Sequence, residues 1–174
     1  MPTSVLVAYA SKYGSTQGVA EAVAAALRER GLEVAVRPAR EVHCLEGYGA
    51  VVLGAPLYIG SWLKDARRFL TQHQEVLAKR PVAVFSLGPL SNDEKEMQGA
   101  REQLDKQLAK FPWLKPVASA VFVGMFDPAR LRFPDSLLTK LPASPIHGLP
   151  ASDLRDWGAI RAWAGSLAGK LQPT

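Results

Sequence analysis

Cysteine is nearly absent from this chain: Cys44 is the only one in 174 residues. A disulfide within the chain is excluded, and a thiolate metal cluster is left without ligands, as suits a reducing cytoplasm. We read Cys44 as a small, semi-buried residue beside a loop rather than as a reactive thiol. Histidine is equally scarce. His43, His73 and His147 lie far apart without ligand spacing, so we expect all three on the surface or in loops and no metal. No apolar run approaches the ~20 residues of a membrane span. The longest, around Ala50 to Ile59, has the length of a strand. No basic stretch precedes the first apolar run, so no signal peptide is expected and the cytoplasm is the expected location. Charge is not concentrated either. The net charge is +5, but Lys64, Arg67, Arg68, Lys79, Arg80, Lys106, Lys110 and Lys115 are scattered. They lack the interleaved aromatics of a nucleic-acid stripe, and no nucleic-acid partner is expected.

What is present is an alternation of strands and helices. Val5 to Tyr9 is a continuous apolar run, as in a strand buried on both faces. Thr16 to Arg30 carries Val19, Val23, Ala26 and Leu27 at helical spacing, and Gly31 stops it. Glu33 to Arg37 alternates polar and apolar residues, which places it at a sheet edge. Ala50 to Ala55 is a second doubly buried strand. Trp62 to Lys79 reads as a helix, Val82 to Ser86 as a strand, Asp93 to Lys110 as a polar helix and Val117 to Val123 as the fifth strand. A last helix, Asp153 to Leu171, starts on a Ser152/Asp153 cap. Five strands joined by crossovers make a single α/β domain, a three-layer parallel sheet in the order 2-1-3-4-5 with helices on both faces. One stretch breaks the alternation: Gly124 to Ala151 holds five prolines and no clear period. A loop of that length in a compact domain is usually functional or mobile.

Sheets of this kind bind ligands beyond the carboxyl ends of their strands, where the strand order reverses. Three loops reach that crevice. Ser11 to Thr16 lacks the lysine of a P-loop and the glycine triplet of dinucleotide folds. Hydroxyls on Ser11, Ser15 and Thr16, close approach at Gly14 and the following helix dipole suit one phosphate monoester. Lys12 adds charge or simply faces water. The plainer reading is a strand-to-helix turn with a Ser/Thr cap. Pro56-Leu57-Tyr58-Ile59-Gly60-Ser61-Trp62 can lay apolar side chains along a flat heterocycle. Alternatively, Trp62 caps the next helix and Tyr58 covers the sheet end. Ser86-Leu87-Gly88-Pro89-Leu90-Ser91-Asn92 is a turn in the right place, with Ser91-Asn92 as the next helix cap.

Tyr9 to Thr16 resembles the phosphate loop of flavodoxins, which bind FMN. Together with Val51 to Gly60 and Asp153 to Ala164, it is similar to the flavodoxin-domain branch that contains the menaquinone-dependent protoporphyrinogen oxidases. The resemblance spans nearly the whole chain. It implies FMN, with phosphate contacts from Ser11, Lys12, Tyr13, Gly14, Ser15 and Thr16. It implies isoalloxazine contacts from Pro56, Leu57, Tyr58, Ile59 and Gly60, and from Ser86, Leu87, Gly88, Pro89 and Leu90. It also implies that Gly124 and Asp127, in an extended loop of the branch, approach the ring. The flavin then carries the chemistry, with no essential catalytic side chain; a backbone group near Ile59-Gly60 is placed to bond flavin N5.

The chain departs from the branch at two points: the oxidases are expected to carry an arginine in the loop after the third strand, where Leu57-Tyr58-Ile59 has none, and the long loop differs in composition. Three functions stay open. They are an FMN-dependent oxidoreductase using a quinone, a porphyrinogen or another small redox partner, a flavodoxin-type electron carrier, and a non-catalytic domain that lost the flavin. A +5 chain fits the usually acidic carriers poorly. Met125 to Leu141 mixes apolar and basic residues, which suits a peripheral membrane contact, a fold over the flavin or a homodimer surface.

Overall fold

The computed structural model describes residues 4–11, 14–58, 61–88, 93–126, 152–153 and 155–171; at 58, 61, 125, 126, 152 and 153 only the backbone is described. The central parallel sheet is built from β1 (Ser4–Tyr9), β2 (Glu33–Pro38), β3 (Ala50–Tyr58), β5 (Val82–Leu87) and β6 (Ala118–Phe122), with β4 (Ser61–Trp62) paired to β3. The order is β2-β1-β3-β5-β6, which is the 2-1-3-4-5 topology expected from the sequence. The half-exposed β2 lies at one edge, and the wholly buried β5 lies inside.

Side-chain alternation divides the core into two layers. Val5 and Val7 of β1 face one way, with Ala50 and Val52 of β3. They meet Val19, Val23 and Leu27 of α1 (Ser15–Glu29) and Ile160, Ala164 and Leu167 of α5 (Trp157–Leu167). Leu6 and Ala8 face the other way, with Val51, Leu53 and Ala55. They meet Phe69 and Leu70 of α2 (Lys64–Gln72), Leu77 of α3 (Gln74–Leu77) and Leu104 of α4 (Glu94–Ala109). Each fully buried Leu, Ile, Val or Phe stabilises the fold by about 1.5–3 kcal/mol before chain entropy is charged against it. Gly54 lets the layers close: a Cβ there would run into the Phe85 ring. Phe85 itself packs edge-on against Trp163, 6.0 Å between ring centroids.

Several sequence expectations are corrected. The helix placed at Trp62 to Lys79 starts at Lys64 and breaks at His73. Its first expected residue, Trp62, belongs instead to a hairpin, paired with Leu57. The last helix starts at Trp157, because Asp156 accepts the Ala159 N–H and caps it there; Ser152–Asp153 pairs as β8 with β7 (Met125–Phe126). Asp93 caps α4, accepting from Lys95 N and Glu96 N, in place of the expected Ser91-Asn92. His73 is buried, its Nε2 3.2 Å from the Val42 carbonyl and its ring against Phe69. Cys44 is exposed, not semi-buried. His147 and residues 127–151 of the long loop lie outside the described residues, whereas Met125–Phe126, at its start, forms a strand. Among the described residues, no helix is long and apolar enough to cross a membrane and no group of side chains could hold a metal ion.

Candidate cofactor site

The sheet register brings the three loops together. Tyr9 pairs with Gly54, Pro56 with Leu87, and Leu87 with Phe122, so β1, β3 and β5 end side by side. The Ala10 N–H continues the ladder to the Gly54 carbonyl at 2.9 Å. The chain then turns. Ser11 Oγ accepts the Gly14 N–H at 2.8 Å, which leaves its own proton free to be donated. Gly14 takes a left-handed conformation (φ 89°) as the residue before α1, a geometry that favours glycine.

The start of α1 carries positive partial charge. Its first N–H groups have no partner in the helix, as at every helix start. No side chain caps it, and its first turn holds no acidic residue. Thr16 is fully buried there and its hydroxyl has no hydrogen-bond partner. A buried, unpartnered hydroxyl costs about 1–3 kcal/mol unless something supplies a partner. The expected Ser/Thr cap is thus not formed.

Beside the loop, a cavity of about 120 Å³ lies between Ser11, Gly14 and Gln17 on one side and Pro38, Arg40 and Asp65 on the other. It holds a group of phosphate size but not a flavin ring, which needs a pocket of about 300 Å³ or more. Tyr9 also lines it. Burial pushes the Tyr9 phenol above its ordinary 10.0, Glu21 and Glu41 push the same way, and Arg40 opposes them.

The two apolar loops are only partly described. Pro56 and Leu57 are half-buried at the end of β3, and Tyr58 pairs with Ser61. Trp62 neither stacks outward nor caps a helix: it is buried, and its Nε1 donates to Ser86 Oγ at 2.6 Å. Ser86 and Leu87 are buried residues at the end of β5. What this loop can present begins at Gly88, whose N–H bonds the Phe122 carbonyl at 2.9 Å. A Cβ on Gly88 would come within 2.8 Å of Val121 and 2.9 Å of Ala100. Gly124 is buried next to the end of β6. Lys12, Tyr13, Ile59, Gly60, Pro89, Leu90 and Asp127 lie outside the described residues.

Sequence reasoning missed Arg155. Its Nη1 lies 3.3 Å from the Ser15 carbonyl, which joins the C-terminal segment to the start of α1 across 140 positions. The one local signal was Gly18, an isolated glycine inside a helix.

A doubly wound parallel sheet in this strand order defines a three-layer α/β protein. Residues 6–145 match the model of the flavodoxin domain. The chain belongs to that family. It is 26% identical over 172 residues to protoporphyrinogen IX dehydrogenase [quinone] of Escherichia coli K12, covering 94% of this chain and 93% of that one. Among solved structures it superposes on oxidised flavodoxin 1 of Bacillus cereus with a TM-score of 0.57 at 16% identity, covering 98% of this chain and 100% of the other. It superposes likewise on rubredoxin oxygen:oxidoreductase of Desulfovibrio gigas (TM-score 0.60, 16% identity), covering 98% of this chain but 35% of that one. At these identities the structural likeness is one of fold.

Proposed function

We propose that this chain binds FMN and works as a quinone-linked oxidoreductase. The observation that carries the reading is the buried Thr16 hydroxyl without a partner, set in a helix start that no side chain caps and whose first turn holds no acid. It asks for an anion at the position where the family loop would hold the FMN phosphate. The kinship with a quinone-dependent dehydrogenase over nearly the full length of both chains supports the redox class.

Ser11, Gly14, Ser15 and Thr16, with Lys12 and Tyr13, would hold the phosphate. Pro56 to Gly60 and Gly88 to Leu90 would flank the ring, with Gly124 and Asp127 at its edge. FMN, when bound, supplies the two-electron chemistry. The protein's part is to fix the phosphate by N–H and O–H donors and to hold the two loops rigid through the Trp62–Ser86 bond. Over each cycle the donor loses two electrons and two protons and the quinone gains them. We take a porphyrinogen as the first donor to test, at the cytoplasmic face of a membrane where quinones reside.

Steady-state turnover of protoporphyrinogen IX with a menaquinone analogue tests the reading. Quinone reduction in step with donor loss supports it. A flavin-loaded protein that accepts electrons but turns over no small substrate is instead a carrier, and a protein that takes up no flavin is a non-catalytic domain. Pelleting with anionic liposomes and light scattering decide whether residues 125–141 serve a membrane or a homodimer.

A further inference from the structure

α2 carries its cations at the end where they do not help the helix. Lys64, Arg67 and Arg68 lie in its first five positions, and its last turn holds no basic residue. A helix favours cations at its C-terminal end. Lys64 also stands three and four positions before Arg67 and Arg68, the spacings at which like charges repel. Helix stability therefore does not account for their placement.

The fold brings two more cations to the same side. Arg40 belongs to the one-turn segment Ala39–Glu41 and lines a cavity together with Asp65 of α2. At the other end of α2, His73 Nε2 lies 3.2 Å from the Val42 carbonyl, so this segment runs alongside the helix. Ala35 of β2 packs in the core layer of Phe69 and Leu70, and strand alternation puts Arg37 on that side of the sheet. All five cations are exposed. Among the described residues, no hydrogen bond or ion pair engages their charged groups. The carboxylates of these segments are Glu41 and the half-buried Asp65.

Every exposed residue of α2 is polar, because Ala66, Phe69 and Leu70 are buried in the core. A helix that docks on lipid sinks apolar side chains into the headgroup region, and this one has none facing outward. A basic, polar face is complementary to an acidic protein surface. The nine residues of α2 span about 14 Å. A face of that size suits the small, transient encounters that redox proteins make. It also lies beside the candidate cofactor site. Lys64 stands two residues after Trp62, which pairs with Leu57 in the hairpin that follows β3, and Arg40 shares its cavity with Ser11 and Gly14.

We infer that the outer face of α2, with Arg37 and Arg40, is a docking surface for an acidic electron-carrier protein. This partner goes beyond the quinone reading, and docking is measured without flavin, so the two stand or fall separately.

The probe is oxidised plant-type ferredoxin, an acidic carrier, with cytochrome c, a basic one, as its opposite. Binding is measured at about 0.01 M and about 1 M salt, where charges are felt across about 30 Å and about 3 Å. Wild type is expected to bind ferredoxin at low salt only, and cytochrome c at neither. Arg67→Gln/Arg68→Gln should weaken ferredoxin about fivefold. Lys106→Gln/Lys110→Gln, the same change of charge at exposed positions in and just after α4, should stay within about twofold of wild type. The α2 variant should melt no lower than wild type, since it relieves the repulsion from Lys64. Should it melt lower, Arg40→Gln, outside the helix, replaces it and must weaken ferredoxin where the α4 pair does not. Absence of ferredoxin binding at low salt overturns the inference, as does equal weakening by both pairs, which would reflect net charge alone. Phosphatidylglycerol vesicles that sediment wild type through Arg67 and Arg68, with ferredoxin left unbound, would make the face a membrane contact and overturn it too. A protein that binds ferredoxin through Arg67 and Arg68 but takes up no FMN keeps the docking surface and loses the flavin reading.

Discussion

The indole Nε1 of Trp62 donates to the hydroxyl of Ser86 across 2.6 Å in a buried setting. The bond ties the hairpin that follows β3 to the end of β5. The residue that follows one apolar loop and the strand that leads into the other therefore share one buried fastening.

Ser86→Ala removes the acceptor this indole uses. The variant is expected to lose about 1–3 kcal/mol of stability, read from urea unfolding. Flavin affinity should fall with it, because the loops lose their common anchor. A variant with unchanged stability would show the bond to be incidental.

Thr16→Val replaces the buried hydroxyl with a methyl group of similar shape. The apo-protein is expected to gain roughly 1 kcal/mol, since an unpartnered polar group is removed. FMN should bind about tenfold more weakly, because a charge-assisted hydrogen bond is lost. The opposite signs are the point of the test: calorimetric melting and flavin titration must move in opposite directions.

Gly54→Ala drives a Cβ into the Phe85 ring. The core has no room to yield there, with Phe85 already against Phe122 and Trp163. A loss of about 1–3 kcal/mol is expected in denaturant unfolding. A truncated Phe85→Leu partner should recover part of it.

Much of this was legible in the sequence because it depends on local pattern. The apolar runs of β1, β3 and β5 and the period of α1 follow from residues next to each other, and the strand order follows from which runs are buried on both faces. That the Ser11–Thr16 turn would lie beside the end of β3 was legible for the same reason. What was not legible depends on contacts between distant residues. Trp62 reads as part of a helix because its neighbours are helical, yet its pairing with Leu57 and its bond to Ser86 pull it into the sheet. Leu87 lies in a loop-like sequence but extends β5 by one buried residue. Arg155 meets Ser15 only through the packing of α5 on α1, and no spacing rule connects positions 140 residues apart.

Tyr9 gives a pH prediction. Its phenol holds its proton more tightly in the folded protein than in the unfolded chain, through burial first and Glu21 and Glu41 next. Its contribution to stability is therefore present below the unfolded value and lost as pH rises through the folded one. Tyr9→Phe is expected to flatten the fall in stability above about pH 10 and to leave neutral pH unchanged. Urea midpoints compared between about pH 8 and pH 11 check this.

The central claim is that Ser11 to Thr16 anchors the phosphate of FMN. The most direct measurement is the visible spectrum of the purified protein, with the flavin released, identified and titrated back into the apo-protein. The account predicts a yellow protein that releases FMN, rebinds it one to one and prefers it to riboflavin. A colourless protein that leaves FMN free in the titration would contradict it.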